Sequence, residues 1–435
     1  MNINILELGA KGDNIIRDTA IIQMAIDKCC EDGGGRVIIP QNKTFIIGGI
    51  ILKSNVELHL EENSILMGSG CEENYILRKG PFERIRNNTP ISGLIFSKSS
   101  TNIKITGKGT IDGNYKAFIP DGQEEAEHIA FFKYPRPMVV YFEGCKNVTL
   151  SDITIINAPF WTVHLVGCLE NNITGVKIYN EMRMPNTDGF DIDRCKNTII
   201  KDCIIRTGDD AICPKCTQET AEYGDCENIL VENCSLTSAS SAIKFGSSSF
   251  GNFRNCIFSN IEIKESNRGI AFQLRDTHSA ENIIFKNINI STKRFSEGWW
   301  GSGEPIYVTC CSREEGMLIG HIKNVVFENI HCETENGIFI YSDIPGTIEG
   351  LTFRNIELNF RRVTNYDLSQ YDLRPWRGAP IMFENIAALV AINSNDITLE
   401  NIKVFDSENI LIKKDFTIKN CHNVINTKNY QEQTI

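Results

Sequence analysis

A short phrase of alternating residues recurs along most of this chain and limits the folds that it can adopt. Each copy begins with Asn, continues with alternating apolar residues, reaches a second Asn or Asp, and alternates again. Copies that follow one another directly begin 24 to 31 residues apart, at Asn147, Asn171, Asn197, Asn228, Asn255 and Asn282. Alternation with a period of two is typical of β-strands, and a repeat of this length is typical of stacked solenoids. Because almost no helical pattern separates the copies, we predict an all-β fold, a parallel β-helix whose equivalent residues form ladders.

The repeat and its interruptions predict a single domain over residues 1–435. The chain is 41% hydrophobic, which is enough for a large core at this length. We expect an N-terminal cap over residues 1–50, in which a helix over residues 18–30 begins at Asp18 and plugs the open end of the stack. Residues 291–323 and 359–394 interrupt the repeat and are interpreted as insertions, and the polar tail after Cys421 is expected to fray.

Composition and charge exclude several classes of partner. The formal net charge is −11 and no stripe dense in Lys and Arg occurs, so no nucleic-acid partner is expected. No uncharged apolar run approaches the ~18 residues that a membrane helix needs, so no membrane partner is expected. The first residues lack the basic and apolar regions of a secretory signal, which predicts a cytoplasmic location unless a leader has been removed. Oligomerisation stays open.

The 16 cysteines are interpreted as reduced and mostly buried, because the chain is large and shows no leader. Several of them precede a repeat Asn by two or three residues, which predicts an internal stack of small side chains; these are Cys145, Cys168, Cys195 and Cys226. Cys213 and Cys216 form the one spacing with a metal or redox precedent, but no second pair accompanies them. We therefore expect no metal and no cofactor.

Two acidic clusters carry the strongest chemical signal. NTDGFDID holds Asp188, Asp191 and Asp193, and TGDDAI holds Asp209 and Asp210, 21 to 22 residues beyond Asp188. This separation is close to one coil, so Asp188 is expected to lie beside the Asp pair on one face. Inverting glycoside hydrolysis needs two carboxyl groups ~6.5–9.5 Å apart with room for a water, and crowding of carboxylates raises the pKa of one of them. Aspartates also mark corners in such folds, so each alone would be structural.

These motifs resemble glycoside hydrolase family 28, the polygalacturonase-like enzymes. The resemblance runs from GAKGD at Gly9 through GTIDG at Gly109 and PFWTVHLVGC at Pro159 to NTDGFDI and GDDAI, and continues more loosely to about residue 360. It implies a right-handed, single-stranded parallel β-helix and inverting, metal-independent hydrolysis of pectic polysaccharides. Carried onto the matching positions, it makes Asp209 the general acid. Asp188 and Asp210 would hold and activate the water, and Asn186 would orient the site.

Two motifs of the family are replaced in this sequence. Where the family commonly has Gly-His-Gly, this chain has Ser240, Ser241 and Ala242, so the catalytic-site His is absent. Where the family has the Arg-Ile-Lys that grips a uronate, this chain has Ala271 and Gln273. These departures favour glycoside hydrolysis over strict polygalacturonase specificity. Candidate replacements for the lost contacts are Lys244, Arg268, Gln273 and Arg275.

Further substrate contacts are predicted outside the acidic clusters. Trp161 and His164 fall one coil before Asp188 and are interpreted either as a sugar platform with a polar contact or as ordinary packing. The segment SEGWWGSGEPIYV carries Trp300 and Glu304 in a Gly-flanked loop, which suggests a loop over the cleft with Glu304 reaching substrate. The segment ERIRNN from Glu83 and the Arg-Pro at Arg136 are further candidates for the cleft lining.

Three function classes follow from these residues. The leading one is a glycosidase acting on a pectin-derived oligosaccharide of galacturonan or rhamnogalacturonan type, exo-acting because an enzyme inside the cell would meet short imported chains and because the insertions can close one end of a groove. The second is a polysaccharide lyase on the same scaffold, with Ca²⁺ bound by the aspartates. The third is a non-catalytic glycan-binding β-helix.

Overall fold

The computed structural model describes residues 1–75, 93–123, 127–129, 136–314, 316–376, 378–383, 385–406 and 412–427. Two compact units divide the chain. The first comprises Met1–Cys213 with Glu219–Gly224, and the second comprises Pro214–Gln218 with Asp225–Ile435. Within the described residues, no helix has both the length and the apolar character that crossing a membrane requires. The single domain over residues 1–435 stays a prediction.

The first unit is a stack of coils built from short parallel strands. One sheet receives up to two strands from each coil, namely Asn2–Asn4, Asp13–Arg17, Gly35–Ile39, Thr44–Ile47, Val56–Leu60, Ile65–Gly68, Thr101–Gly107, Thr110–Asp112, Lys146–Ser151, Thr154–Ile156, Leu169–Thr174, Lys177–Tyr179, Lys196–Lys201 and Ile204–Thr207. A second sheet receives Ile50–Ile51, Gly93–Lys98, Met138–Glu143, Val163–Val166 and Phe190–Asp193. The register is in step from coil to coil: Leu150 lies opposite Ile105 on one side and Ile173 on the other.

The second unit has the same plan with longer strands. Its first sheet contains Cys226–Glu232, Ser235–Ser238, Phe253–Ser266, Ala280–Thr292, Ile322–Thr334, Ile348–Phe360, Ser394–Phe405 and Val424–Thr427. Its second sheet contains Ser241–Ser247, Arg268–Leu274, Ile306–Cys310, Ile338–Ser342, Ile386–Ile392 and Ile412–Lys419, and we refer to these six as the short-strand sheet. Strand Ile212–Lys215 begins in the first unit and ends in the second. The all-β parallel solenoid predicted from the repeat is confirmed.

Most of the repeat Asn residues occupy corners in the left-handed backbone region; in the copy at Asn171 the corner residue is Glu170, with φ of 59°. Asn102 and Asn147 have φ of 55° and 57°, a conformation that Asn tolerates better than most residues. Their side chains form ladders: Asn147 donates to Asn102 at 2.7 Å, and Asn102 donates to Asn55 at 2.8 Å. In the second unit, Asn401 donates to Asn355 at 2.8 Å. The corner positions are therefore fixed by backbone geometry and by hydrogen bonds between coils.

The interior of each unit contains apolar side chains that stack from coil to coil, in places with the same residue type in successive coils. In the second unit, the rings of Phe327 and Phe353 stack at 4.8 Å between centroids. In the first, Cys145, Cys168 and Cys195 are buried and free of disulfides, and their thiols donate to backbone carbonyl oxygens. The predicted internal Cys stack is confirmed for these three. The pKa of Cys168 is raised by burial, so the thiol form is favoured.

The predicted N-terminal helix is present over Thr19–Glu31, and its buried face carries Ile22, Ala25, Ile26 and Cys29. Among the described residues, the other helical segments are of the 3₁₀ type: Ile5–Leu8, Glu72–Asn74, Tyr115–Phe118 and Gln218–Tyr223. Asp18 stands at the predicted N-cap position, where its backbone carbonyl accepts from Ile22 N at 3.0 Å. Its carboxylate makes no cap hydrogen bond and instead accepts from the backbone N–H groups of Lys11 and Gly12. That the helix closes the stack stays a prediction.

Both predicted insertions contain a strand of the stack. Strand Ile306–Cys310 lies within residues 291–323, and Ile386–Ile392 lies within residues 359–394. The stretches that remain between strands of the two sheets are residues 293–305, here called loop A, and residues 361–385, here called loop B. Loop B carries a short antiparallel pair, Gln370–Tyr371 with Ile381–Met382. The expectation that the tail frays after Cys421 is wrong for Val424–Thr427, which is a strand paired with Ser394–Phe405. The end of the tail, from residue 428, and the ERIRNN segment lie outside the described residues.

Candidate active site

Asp188 and Asp210 converge in the first unit. Each precedes a strand segment of the second sheet, and the two segments are neighbours because Gly189 N donates to Asp210 O at 2.8 Å and Phe190 N donates to Ala211 O at 2.9 Å. One carboxylate oxygen of Asp188, one of Asp210 and the Cys213 sulfur lie within 4.8 Å of one another. Two carboxylates at this distance repel each other, and a proton or a water hydrogen-bonded to both relieves the repulsion. The predicted placement on successive coils is confirmed.

Asp209 completes the acidic group with a different environment. Its Oδ2 accepts from the Asn186 backbone N–H at 3.1 Å, and its Oδ1 accepts from the Asp210 backbone N–H at 3.0 Å. Asp209 is half-buried, whereas Asp188 and Asp210 are 2% and 0% exposed. The partly exposed carboxyl is accessible to a substrate oxygen, and the two buried carboxyls are close enough to bind one small molecule together.

The turn that carries Asp188 is fixed by hydrogen bonds from residues that sequence analysis missed. Asn180 donates to Thr162 Oγ1 at 2.7 Å and to Thr187 O at 3.1 Å, and it accepts from Ala158 N. The Thr187 hydroxyl donates to Met184 O at 2.9 Å and accepts from Gly208 N at 3.2 Å. The available signal was positional: Asn157 and Asn180 each follow a strand end at equivalent places in consecutive coils.

Gly208 is required by close packing beside the Asp pair. A Cβ added at Gly208 would lie 2.3 Å from Met184 O and 2.6 Å from Glu181 O. Glu181 itself is ion-paired with Arg183, at 2.9 Å between Oε1 and Nε. The hydrogen bond from the Arg183 guanidinium lowers the pKa of Glu181 to about 2, so Glu181 stays negatively charged at the rim of the site.

Asn186 is oriented by a buried arginine. The Asn186 backbone has φ of 58°, and its Oδ1 accepts from Arg136 Nη2 at 3.2 Å. Arg136 Nη1 also donates to Pro159 O and Pro185 O, and the guanidinium lies 4.8 Å from the Phe160 ring centroid. Because Arg136 is 1% exposed, its contact with the predicted site runs through Asn186 and not through an open cleft wall.

Trp161 and His164 are held by packing in the first unit. Trp161 is 8% exposed, stacks on Phe160 at 5.1 Å between centroids and meets the His164 ring edge-on at 4.9 Å. His164 is fully buried, with Nε2 3.4 Å from Asp193 Oδ2. These contacts favour the packing interpretation for both residues, and their contact with substrate stays a prediction.

Two residues that were predicted separately as substrate contacts, Lys244 and Trp300, lie close together in the second unit. The Lys244 ammonium is 5.8 Å from the Trp300 ring centroid, and the guanidinium of Arg374 in loop B is 5.6 Å from the same centroid. Cations over an aromatic face are attracted by its quadrupole. Sequence analysis did not single out Arg374, because nothing in the local sequence indicates that loop B reaches loop A.

The interpretation of Glu304 as a group reaching substrate is corrected. Glu304 is fully buried, and its Oε2 accepts from Ser302 N at 2.7 Å and from Arg268 Nε at 3.3 Å. The Arg268 guanidinium stacks 3.8 Å from the Tyr307 ring centroid and donates to Asp372 O at 2.7 Å. Burial is possible because the charge is paired with an arginine and capped by a backbone donor.

The interpretation of Arg275 as a substrate contact is also corrected, because its side chain is fully buried and donates to the carbonyl oxygens of Pro375, Leu274 and Leu373 and to Thr309 Oγ1. Gln273 is 1% exposed and donates to Arg374 O at 3.2 Å. Both side chains therefore bind loop B. The side-chain hydrogen bonds described here for Gln273 and Arg275 are all made to residues of the second unit.

Comparison with known proteins identifies the family of the central segment. Residues 79–292 match the sequence model of glycosyl hydrolases family 28, and this range contains Asp188, Asp209 and Asp210. The chain is 30% identical over 229 residues to a probable polygalacturonase from Vitis vinifera, covering 51% of this chain and 45% of that protein. It is 27% identical over 251 residues to an exo-poly-alpha-D-galacturonosidase from Dickeya chrysanthemi, covering 48% and 41%. The match thus spans less than half the length of each of these two relatives.

The fold extends over a larger part of the chain than the sequence match. The structure is similar to that of a hyperthermoactive exopolygalacturonase from Thermotoga maritima, with a TM-score of 0.64 and 22% identity, covering 98% of this chain and 92% of the other. This similarity confirms the predicted β-helix class.

Proposed function

We propose that this protein, whose residues 79–292 belong to glycosyl hydrolases family 28, is an exo-acting glycosidase that cleaves a pectin-derived oligosaccharide with inversion of configuration and without a metal. The names of its relatives support a galacturonan-type substrate. We further propose a cytoplasmic location, where the substrate would be short imported chains.

The convergence of Asp188 and Asp210 beside Asp209 carries this proposal. Asp209 is the partly exposed carboxyl and donates a proton to the leaving-group oxygen. Asp188 and Asp210, within 4.8 Å of each other, hold a water between them, and one of them takes its proton as the water attacks. The leaving sugar gains the proton of Asp209, the anomeric carbon gains hydroxide, and the next cycle begins after proton exchange with solvent.

Loop B supports exo action. On the short-strand sheet, Phe272 stacks on the interior Phe245, so the alternate residues Tyr307 and Phe339 face outward. Loop B lies on this outer face: the Tyr371 ring stacks on Phe339 at 4.0 Å, and the Tyr307 hydroxyl donates to Asp372 O at 2.7 Å. A polymer laid along this part of the sheet would collide with loop B, which favours short chains and chain ends.

The test is the product of the purified protein on pectic and neutral oligosaccharides of defined length. We expect a new reducing end whose first-formed anomer, followed by NMR, is inverted relative to the substrate, and we expect short products from one end of the chain. Retention of configuration would contradict the roles given to Asp188 and Asp210, because retention needs a carboxylate nucleophile.

A polysaccharide lyase is the second candidate, because Asp188, Asp210 and Cys213 form a group that could hold a cation. Ca²⁺ takes 6–8 oxygen ligands, and two carboxylates with a thiol supply few of them. Elimination would give an unsaturated, ultraviolet-absorbing product and would be lost in EDTA. We expect neither outcome.

A further inference from the structure

Two buried polar residues follow the long strand Ile322–Thr334 at the corner that leads to Ile338–Ser342. Glu335 and Asn336 are each 0% exposed. Both sit where loops A and B leave the stack, and neither is part of the acidic group of the first unit. Buried polar side chains at a solenoid corner need partners, and the partners here come from both loops.

Glu335 binds backbone of both loops through its two carboxylate oxygens. Oε2 accepts from the Arg294 N–H of loop A at 2.8 Å. Oε1 accepts from the Val363 N–H of loop B at 2.7 Å and from the Thr364 N–H, and both oxygens accept from the Thr364 hydroxyl at 3.0 and 2.9 Å. Hydrogen bonds to a carboxylate are the stronger kind. One side chain therefore joins two segments about 70 residues apart in sequence.

Asn336 joins the same two loops through its amide. Its Nδ2 donates to Ser302 O of loop A and to Leu368 O of loop B, each at 3.1 Å. Its Oδ1 accepts from the Tyr371 hydroxyl at 2.9 Å, and Tyr371 is the ring that stacks on Phe339. Asn336 thus holds the residue that covers the outer face of the short-strand sheet.

The two loops together form a cavity of about 420 Å³. Its walls include Trp299 and Ser302 from loop A and Gln370, Asp372 and Arg374 from loop B. The width of this cavity depends on the distance between the loops, and Glu335 and Asn336 are residues that bind both walls.

We propose that Glu335 and Asn336 are specificity-determining positioning residues: they hold loops A and B together on the outer face of the short-strand sheet and so restrict the enzyme to short chains and chain ends. This inference rests on the proposed exo-glycosidase function. It assigns the control of which substrates are accepted to two residues that are not part of the acidic group.

The test compares Glu335→Gln and Asn336→Asp with two matched control variants. Glu328→Gln and Asn329→Asp make the same chemical changes on strand Ile322–Thr334, where Glu328 pairs with Arg354 and Asn329 stacks with Asn287 and Asn355, outside both loops. Two quantities are measured in the full-length protein: amide hydrogen exchange of residues 293–305 and 361–376, and the ratio of kcat/KM on a long pectic chain to kcat/KM on a trimer.

We expect Glu335→Gln and Asn336→Asp to accelerate exchange in both loops at least about tenfold, since bonds to a charged or buried partner are lost. We also expect the long-chain to trimer ratio to rise by a similar factor, with internal cleavage products appearing, while both controls behave as the wild type. If the two residues had a purely structural role, their variants would lower kcat/KM on the long chain and kcat/KM on the trimer equally, and the ratio of the two would not change.

Thr364→Val, which removes the hydroxyl contact with Glu335, is the milder variant if the first two do not fold. It should also accelerate amide exchange in the loops and raise the long-chain to trimer ratio.

Unchanged exchange in folded variants would overturn the anchoring role, and faster exchange with an unchanged product pattern would overturn the specificity role. Failure of the proposed function is seen separately, as a wild-type protein that cleaves none of the glycans, whereas failure of this inference is seen in an active wild type whose variants keep its product pattern.

Discussion

The two units share one repeat but differ in what their outward-facing residues do. In the first unit, the second sheet is preceded by turns that bring Asp188 and Asp210 within 4.8 Å of each other. In the second unit, the equivalent sheet presents Tyr307 and Phe339 outward, and loop B covers them. The inward residues are stacked apolar side chains in both. The inward-facing apolar side chains of a solenoid therefore determine the scaffold. The residues at its turns and on its outer face determine the chemistry of each region.

The largest expected effect is a loss of kcat that occurs when an aspartate of the acidic group is changed but not when another aspartate of the first unit is changed. Changing Asp188, Asp209 or Asp210 to Asn should lower kcat by roughly 10²–10⁴-fold, because each removes a proton-transfer or water-holding group. Asp202→Asn is the matched control, since Asp202 is an exposed corner residue with φ of 55° that Asn adopts equally well. Steady-state kinetics on the best oligosaccharide substrate measure both. An equal loss of kcat in Asp202→Asn and Asp209→Asn would contradict the distinction between catalytic aspartates and structural aspartates at corners.

The second prediction concerns the buried ion pair that anchors loop B in the second unit. Glu304→Gln leaves the Arg268 guanidinium buried without its counter-charge, so the free energy of unfolding should fall by roughly 3–5 kcal/mol. The double variant Arg268→Met with Glu304→Leu should cost less than Glu304→Gln alone, because no buried charge is left. Urea unfolding followed by fluorescence measures all three proteins. A double variant less stable than Glu304→Gln would show that the pair is stabilising in itself.

Matched glycines allow packing to be compared between the units. Ala at Gly208 would place a methyl group 2.3 Å from Met184 O, and Ala at Gly269 would place one 2.3 Å from Pro305 O. Each should lower the free energy of unfolding by about 1–3 kcal/mol through overpacking. Only Gly208→Ala should also lower kcat, because Gly208 binds the turn that carries Asp188. A loss of kcat in Gly269→Ala equal to that in Gly208→Ala would contradict this separation.

The sequence was sufficient for the stack and for the placement of the acidic group, because both depend on one period. Asp188 and the Asp pair are one coil apart, and a parallel register converts that spacing directly into proximity. The environment of Glu304 and Arg275 was not predictable in the same way. Arg275 donates to carbonyl oxygens of loop B. Arg268, which pairs with Glu304, donates to Asp372 O of loop B, 104 residues away in sequence. No periodicity relates a loop to the strand that it covers. Glu335 and Asn336 were not predicted for the same reason, because their partners lie in loops A and B, which are not part of the repeat.

The smallest expected effect concerns pH and surface charge in the two units. Hydrogen bonding to Arg183 lowers the pKa of Glu181 to about 2, and hydrogen bonding to Lys293 lowers the pKa of Glu265. A carboxyl with a lowered pKa in the folded state stabilises the protein above its unfolded pKa, ~4.3 for Glu, and this contribution is lost as pH falls towards the folded value. Glu181→Gln should therefore flatten the loss of stability between pH 4.5 and pH 2, measured as urea midpoints at successive pH values. Glu265→Gln should flatten it less, because Glu265 is 62% exposed and solvent screens its pair, compared with 20% for Glu181. A larger effect at Glu265 would mean that burial beside the active-site turn does not strengthen the Glu181 pair.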